Sequence, residues 1–70
     1  MISDDQLNEY RISGQQVRVV RDNMEQNDVL GIVVAWDNES VMLRKKSRRV
    51  VKLRRDYVYI DAGAPRPIIE

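Results

Sequence analysis

Eight cations lie between Arg44 and Arg55, namely Arg44, Lys45, Lys46, Arg48, Arg49, Lys52, Arg54 and Arg55, and no acid interrupts them. Guanidinium and ammonium groups at that density bind anions, and arginine can grip a phosphate through two parallel hydrogen bonds. Other chemistry is poorly supplied. The chain has no cysteine and no histidine, so the usual pairs of nucleophile and general base are absent, as are the ordinary zinc ligands. Ser3, Ser13 and Ser47 sit in no recognisable nucleophile setting. Asp37 with Glu39, and Asp56 with Asp61, are the nearest approaches to carboxylate pairs, but acids in turns cap backbone groups and face water. Three scattered glycines match no phosphate-cradling loop. These residues predict a protein that is not an enzyme and has neither cofactor nor metal.

The cations are concentrated in one half of the chain. Residues 1–39 carry three basic and eight acidic side chains, a net −5, and residues 40–70 carry nine basic and three acidic, a net +6. The near-neutral total of +1 therefore hides a basic local surface that draws anionic partners.

Seventy residues make a single domain, and a chain of that length buries only about 60% of its unfolded surface. Without disulfides or a structural metal, a well-packed small barrel or self-association must supply the missing stability. No apolar stretch approaches the length of a signal-peptide core or a membrane span, which predicts a cytoplasmic protein with no membrane partner.

Helical signals are confined to Ser3 to Arg11, where Ser3 or Asp4 can cap, Asp4 and Asp5 suit the N-terminus, and Leu7 with Tyr10 gives a short apolar face. Gly14 closes that segment. Alternation then marks a strand over Gln16 to Arg21, followed by a polar loop from Asp22 to Asp28. Val29 to Trp36 is the strongest strand, and Gly31 within it is the residue expected where a strand coils sharply or another backbone approaches. Asp37 to Glu39 form a turn, Val41 to Lys45 a third strand, Arg49 to Arg54 a fourth and Tyr57 to Ile60 a fifth. The domain spans residues 1–62, and residues 63–70, with Pro65 and Pro67, form a flexible tail.

If Lys46, Ser47 and Arg48 make the third turn, Val41 faces Leu53 and Leu43 faces Val51 on an apolar side. Met42, Arg44, Val50, Lys52 and Arg54 then share the opposite side. The expected anion-binding residues are Arg44, Lys46, Arg48, Lys52 and Arg54 on this hairpin, with nucleic acid the first-choice partner. Trp36, Tyr57 and Tyr59 are the aromatics near it, expected either in the core or rim or as a contact surface for another protein. Two plainer explanations also fit the cations. They can blunt a strand edge against aggregation, or pair with the acidic first half.

The order of one helix and five strands, the stretch Val29-Leu30-Gly31-Ile32-Val33-Val34-Ala35-Trp36-Asp37 and the stretch Leu53-Arg54-Arg55-Asp56-Tyr57-Val58-Tyr59-Ile60 resemble small barrels of the Sm-like type. In the second stretch Arg54 falls at the basic position and Arg55 where a glycine is usual. That resemblance implies a mostly β fold, a small five-stranded antiparallel barrel with a short N-terminal helix, and a ring of copies that binds RNA. Asp28 to Gly31, the Trp36-Asp37 turn, the basic hairpin and Ala64-Pro65-Arg66-Pro67 are also similar to the Src-homology-like barrel preceding the catalytic domain of some bacterial GNAT-type acetyltransferases. That second resemblance implies an accessory module with an acetyltransferase as its protein partner.

Overall fold

The computed structural model describes residues 1–68; Ile69 and Glu70, the last residues of the expected tail, lie outside it. Helix α1 covers Asp4–Ser13 and strands β1 to β5 cover Val17–Val20, Val29–Trp36, Ser40–Arg44, Val50–Arg54 and Val58–Asp61, with a short 3-10 turn at Glu25–Asn27. The protein is thus mostly β, with five antiparallel strands in one sheet behind a short N-terminal helix.

Capping sets the helix ends. The Ser3 hydroxyl accepts from the Gln6 backbone N–H at 3.1 Å, and Gly14 adopts φ 67° while its N–H donates to the Tyr10 carbonyl. An αL glycine is a strong helix stop because it carries no Cβ penalty. That stop carries α1 two residues past the expected Arg11.

Strand order is β4-β3-β2-β1-β5. Strand β2 belongs to two arms: Val29 to Gly31 pair with β1, and Ile32 to Trp36 pair with β3. The sheet folds over at that change of partner. Gly31 lies there because a Cβ would come within 2.9 Å of the Arg44 carbonyl oxygen, closer than side-chain carbons ever sit to backbone. A register shift between Val33 and Ala35 adds a bulge that twists the strand further.

Leu7, Tyr10, Val17, Val19, Val33, Val41, Leu43, Leu53 and Tyr59 fill the space between the arms and beneath α1. Each fully buried Val or Leu in this set contributes about 1.5–3 kcal/mol. The sheet does not close. "Barrel" therefore describes it only loosely, and β4 and β5 end the sheet as its two edges. Across that opening the Tyr59 hydroxyl donates to the Arg54 carbonyl at 2.7 Å. Among the described residues no helix is long and apolar enough to cross a membrane, and no acidic cluster could hold a metal ion.

Candidate anion-binding site

The basic residues occupy the β3–β4 hairpin in the register that alternation predicts. Val41 faces Leu53 and Leu43 faces Val51; the first three are buried and Val51 half-buried. Met42, Arg44, Val50, Lys52 and Arg54 all face solvent. A slip of one residue would bury Arg44 and Lys52 without partners, so the pattern fixes the register.

At the tip, the Lys45 N–H donates to the Arg49 carbonyl at 2.7 Å and the Arg48 N–H to the Lys45 carbonyl at 2.8 Å. The turn requires a left-handed residue, and Arg48 fills that place with φ 72°. Glycine or asparagine is the usual occupant of such a position.

Partners divide the cations into two groups. Among the described residues, Arg44, Lys45, Lys46, Arg48, Arg49 and Lys52 form no ion pair and no side-chain hydrogen bond. Arg54 differs. It makes a two-pronged pair with Asp56, at 3.0 and 2.5 Å, and lies 5.6 Å from the Tyr57 ring centroid. That carboxylate holds the Arg54 guanidinium's pKa above its already high ordinary value.

Arg55 is further removed from the surface, at 7% exposure. Its Nε and Nη2 donate to the Ile2 carbonyl at 3.1 and 3.0 Å, Nη1 to the Asp37 carbonyl at 2.8 Å, and Nη2 to Asp4 Oδ1 at 2.6 Å. It ties the N-terminus to the β2–β3 turn. No local signal separates it from Arg54, since only tertiary burial makes the difference.

The acids of the first half are engaged elsewhere. Asp4 meets Arg55 and also accepts from Trp36 Nε1 at 3.2 Å. Asp28, whose side chain is 2% exposed, pairs with Arg18 at 2.9 Å and Arg66 at 2.6 Å. Its pKa lies below the usual carboxylate range, first through the Arg66 hydrogen bond and then through Arg18, against the upward pull of burial. Asp37 accepts the Glu39 and Ser40 backbone N–H groups, each at 2.8 Å; these lower its pKa, with the more distant charge of Lys52 adding to them.

The aromatics do not gather on one surface. Trp36 and Tyr57 are half-buried, whereas Tyr59 is in the core at 9% exposure, where burial raises its phenol pKa. Tyr59 offers a partner almost nothing to touch. A surface depression of about 590 Å³ along the β5 edge is lined by Tyr10, Tyr57, Tyr59 and Ile60 together with Met1, Asp56 and Asp61. Its side chains supply two acids and no cation, and Met1 at its rim carries the terminal amine, so it lacks the cluster of cations that the hairpin has.

No family model matches the chain, and no curated protein or solved structure matches it. The residues themselves are the basis for a functional reading.

Proposed function

We propose that this protein is a non-catalytic binding module that captures an anionic partner, nucleic acid foremost, on the β3–β4 hairpin. One observation carries the reading. Six cations on and around a single hairpin are left without acidic partners, while Asp4 and Asp28 neutralise arginines elsewhere. The field of such a cluster accelerates encounter with a phosphate backbone, and displaced counterions supply the binding free energy.

Salt tests this directly. A single strand gives a log–log slope of about −0.7 per phosphate neutralised, so three to six contacts predict slopes of about −2 to −4 and a loss of roughly 20- to 300-fold between 50 and 200 mM salt. Charge reversal at Arg44 and Lys52 should weaken binding at low salt. Affinity that is flat in salt, or indifferent to that reversal, rules the mechanism out.

A second reading follows from the two unpaired sheet edges. Strand β4 of one copy can pair with β5 of the next, satisfying backbone groups that each edge leaves open. Molar mass by light scattering checks it, and a monomer at every concentration excludes it.

A further inference from the structure

Two neighbouring depressions indent the end of the molecule that carries the hairpin tip. One, of about 420 Å³, has Arg44 and Arg48 on its wall and Gly31 and Ile32 of β2 behind them. The other, of about 380 Å³, has Ser47 and Asp28 on its wall and Val29 and Leu30 of the same strand behind it; the Asp28 carboxylate there is already paired with Arg18 and Arg66. Gln16, Lys45 and Lys46 line both. The two are therefore adjoining bays divided by a shared ridge, each bay within the size range of small-ligand sites.

The bays share their plan but not their full lining, the two arginines belonging to the first and Asp28 to the second. Aliphatic and backbone surface from β2 forms the inner side, and cations stand on the ridge and rim. Gln16, on the loop between α1 and β1, is exposed and its side-chain amide has no partner among the described residues. That amide offers one acceptor and two donor hydrogens at the ridge.

We infer that the paired bays bind two consecutive units of a single-stranded nucleic acid, with the linking phosphate on the Lys45–Lys46 ridge and one base in each bay. This rests on the anion-binding reading above and specifies its ligand. Apolar surface beneath cations suits a base attached to a phosphate, since unstacked bases need an uncharged face and the backbone needs charge. Arg48 can lay its planar guanidinium over the base in the first bay as well as meet a phosphate. A duplex keeps its bases stacked inside a broad convex rod, so it can touch the ridge but cannot enter the bays. The left-handed backbone of Arg48 fits the same account, because its cation stands at the rim where the turn would more comfortably hold glycine.

The test compares charge reversals of equal size at two places on one hairpin. Lys46→Glu alters the ridge, and Lys52→Glu alters the outer face of β4. Each variant is titrated with a fluorescent oligouridylate of about twelve nucleotides, a length within the site sizes of small β-barrel modules, and with a duplex of matched length. The expected result is that Lys46→Glu lowers single-strand affinity about ten- to hundredfold more than Lys52→Glu does. The wild type should also prefer the single strand to the duplex. Arg48→Gly serves as a second variant, because glycine suits φ 72° and the fold is retained while the cation is lost; it should weaken the single strand several-fold more than the duplex, which loses only the phosphate attraction.

Equal losses from Lys46→Glu and Lys52→Glu, or a duplex bound as tightly as the single strand, would overturn the bays and leave the basic hairpin as a diffuse phosphate-binding surface. If the wild type binds neither oligonucleotide at low salt, the anion-binding reading itself fails.

Discussion

Replacing Arg55 with alanine should destabilise the protein by about 2–4 kcal/mol, whereas the same change at Arg54, its solvent-screened neighbour, should change stability little. Arg55 is 7% exposed and donates four hydrogen bonds, three of them to the backbone carbonyls of Ile2 and Asp37. Leaving an acceptor shielded from water unsatisfied costs about 1–3 kcal/mol; the carbonyl of half-buried Ile2 bears most of that, that of exposed Asp37 is partly re-solvated, and the buried Arg55 stem adds lost packing. The fourth bond adds little, because the Asp4 side chain is 72% exposed and returns to water when its partner goes. Arg54 and Asp56 are 69% and 49% exposed, which puts their pair among those worth little despite its geometry. A chain of this size has roughly 4–10 kcal/mol of total stability, so losing Arg55 removes about a fifth or more of it. Melting should fall by about 10–30 °C. Urea titration with the slope held equal between variants gives the free energy, and circular dichroism gives the melt. Arg55→Met, which keeps the stem and removes the donors, separates packing from hydrogen bonding. If Arg55→Ala lies within about 0.5 kcal/mol of Arg54→Ala, the three-way tie between N-terminus, β2–β3 turn and β4–β5 turn is not what holds these segments.

Two further substitutions probe the sheet and the buried carboxylate. Gly31→Ala places a methyl group 2.9 Å from the Arg44 carbonyl oxygen and 3.1 Å from a Leu43 methyl, an overpacking expected to cost about 1–3 kcal/mol and to exceed the 0.4–1 kcal/mol gained from a stiffer unfolded chain. Gly63→Ala, with nothing within 4 Å, should be neutral or stabilising; a urea midpoint for Gly31→Ala at or above wild type would refute the close approach. Asp28→Asn should cost about 1–3 kcal/mol at pH 7, where it strips charge-assisted bonds from Arg18 and Arg66. The folded-state pKa of Asp28 is depressed, so its stabilisation is present above the unfolded value of about 3.9 and is lost as pH falls through the folded value. The gap between wild type and Asp28→Asn in urea midpoint should therefore close below about pH 4, and a gap that persists unchanged to about pH 2 would contradict the pairing.

Strand β2 and the hairpin register were legible because period-two patterning leaves a single low-cost choice. Val41, Leu43, Val51 and Leu53 can all turn inward only if Arg44 and Lys52 turn outward. Bounds near turns shifted by a residue or two, since a cap or bulge decides them: Gly14 extends α1 to Ser13, and the left-handed Arg48 sets the tip without the glycine that would have announced it. Burial of single charges was illegible. Arg54 and Arg55 are adjacent and chemically identical, yet one faces water and the other meets Ile2, 53 residues away. Asp28 and Arg66 are 38 residues apart, and the Pro-containing segment that brings Arg66 back forms no helix or strand through residue 68. Gln16 carries no local signal for the same reason: only the tertiary fold sets it beside Lys45 and Lys46.

The hairpin carries features that stability alone does not account for. Arg44 and Lys52 are diagonal neighbours on one face, where like charges repel. At the tip, Arg48 holds a backbone conformation that costs an ordinary side chain about 1–2 kcal/mol. Glycine at the tip and one acid on the face would relieve both. Protection of a sheet edge explains charges along β4, but it gives no reason for a strained arginine in the turn beyond the strand. The other edge, β5, carries a single charge at Asp61 among Val58, Tyr59 and Ile60, so edge protection alone does not explain why the cations crowd onto one hairpin. Pairing with the acidic half reaches only as far as the longer-range attraction between Lys52 and Asp37; Asp4 and Asp28 meet Arg18, Arg55 and Arg66, and neither meets the tip. Both rules are broken at one place, and the anion-binding proposal accounts for them together, since on that reading attraction for a partner offsets repulsion that the folded chain leaves unrelieved.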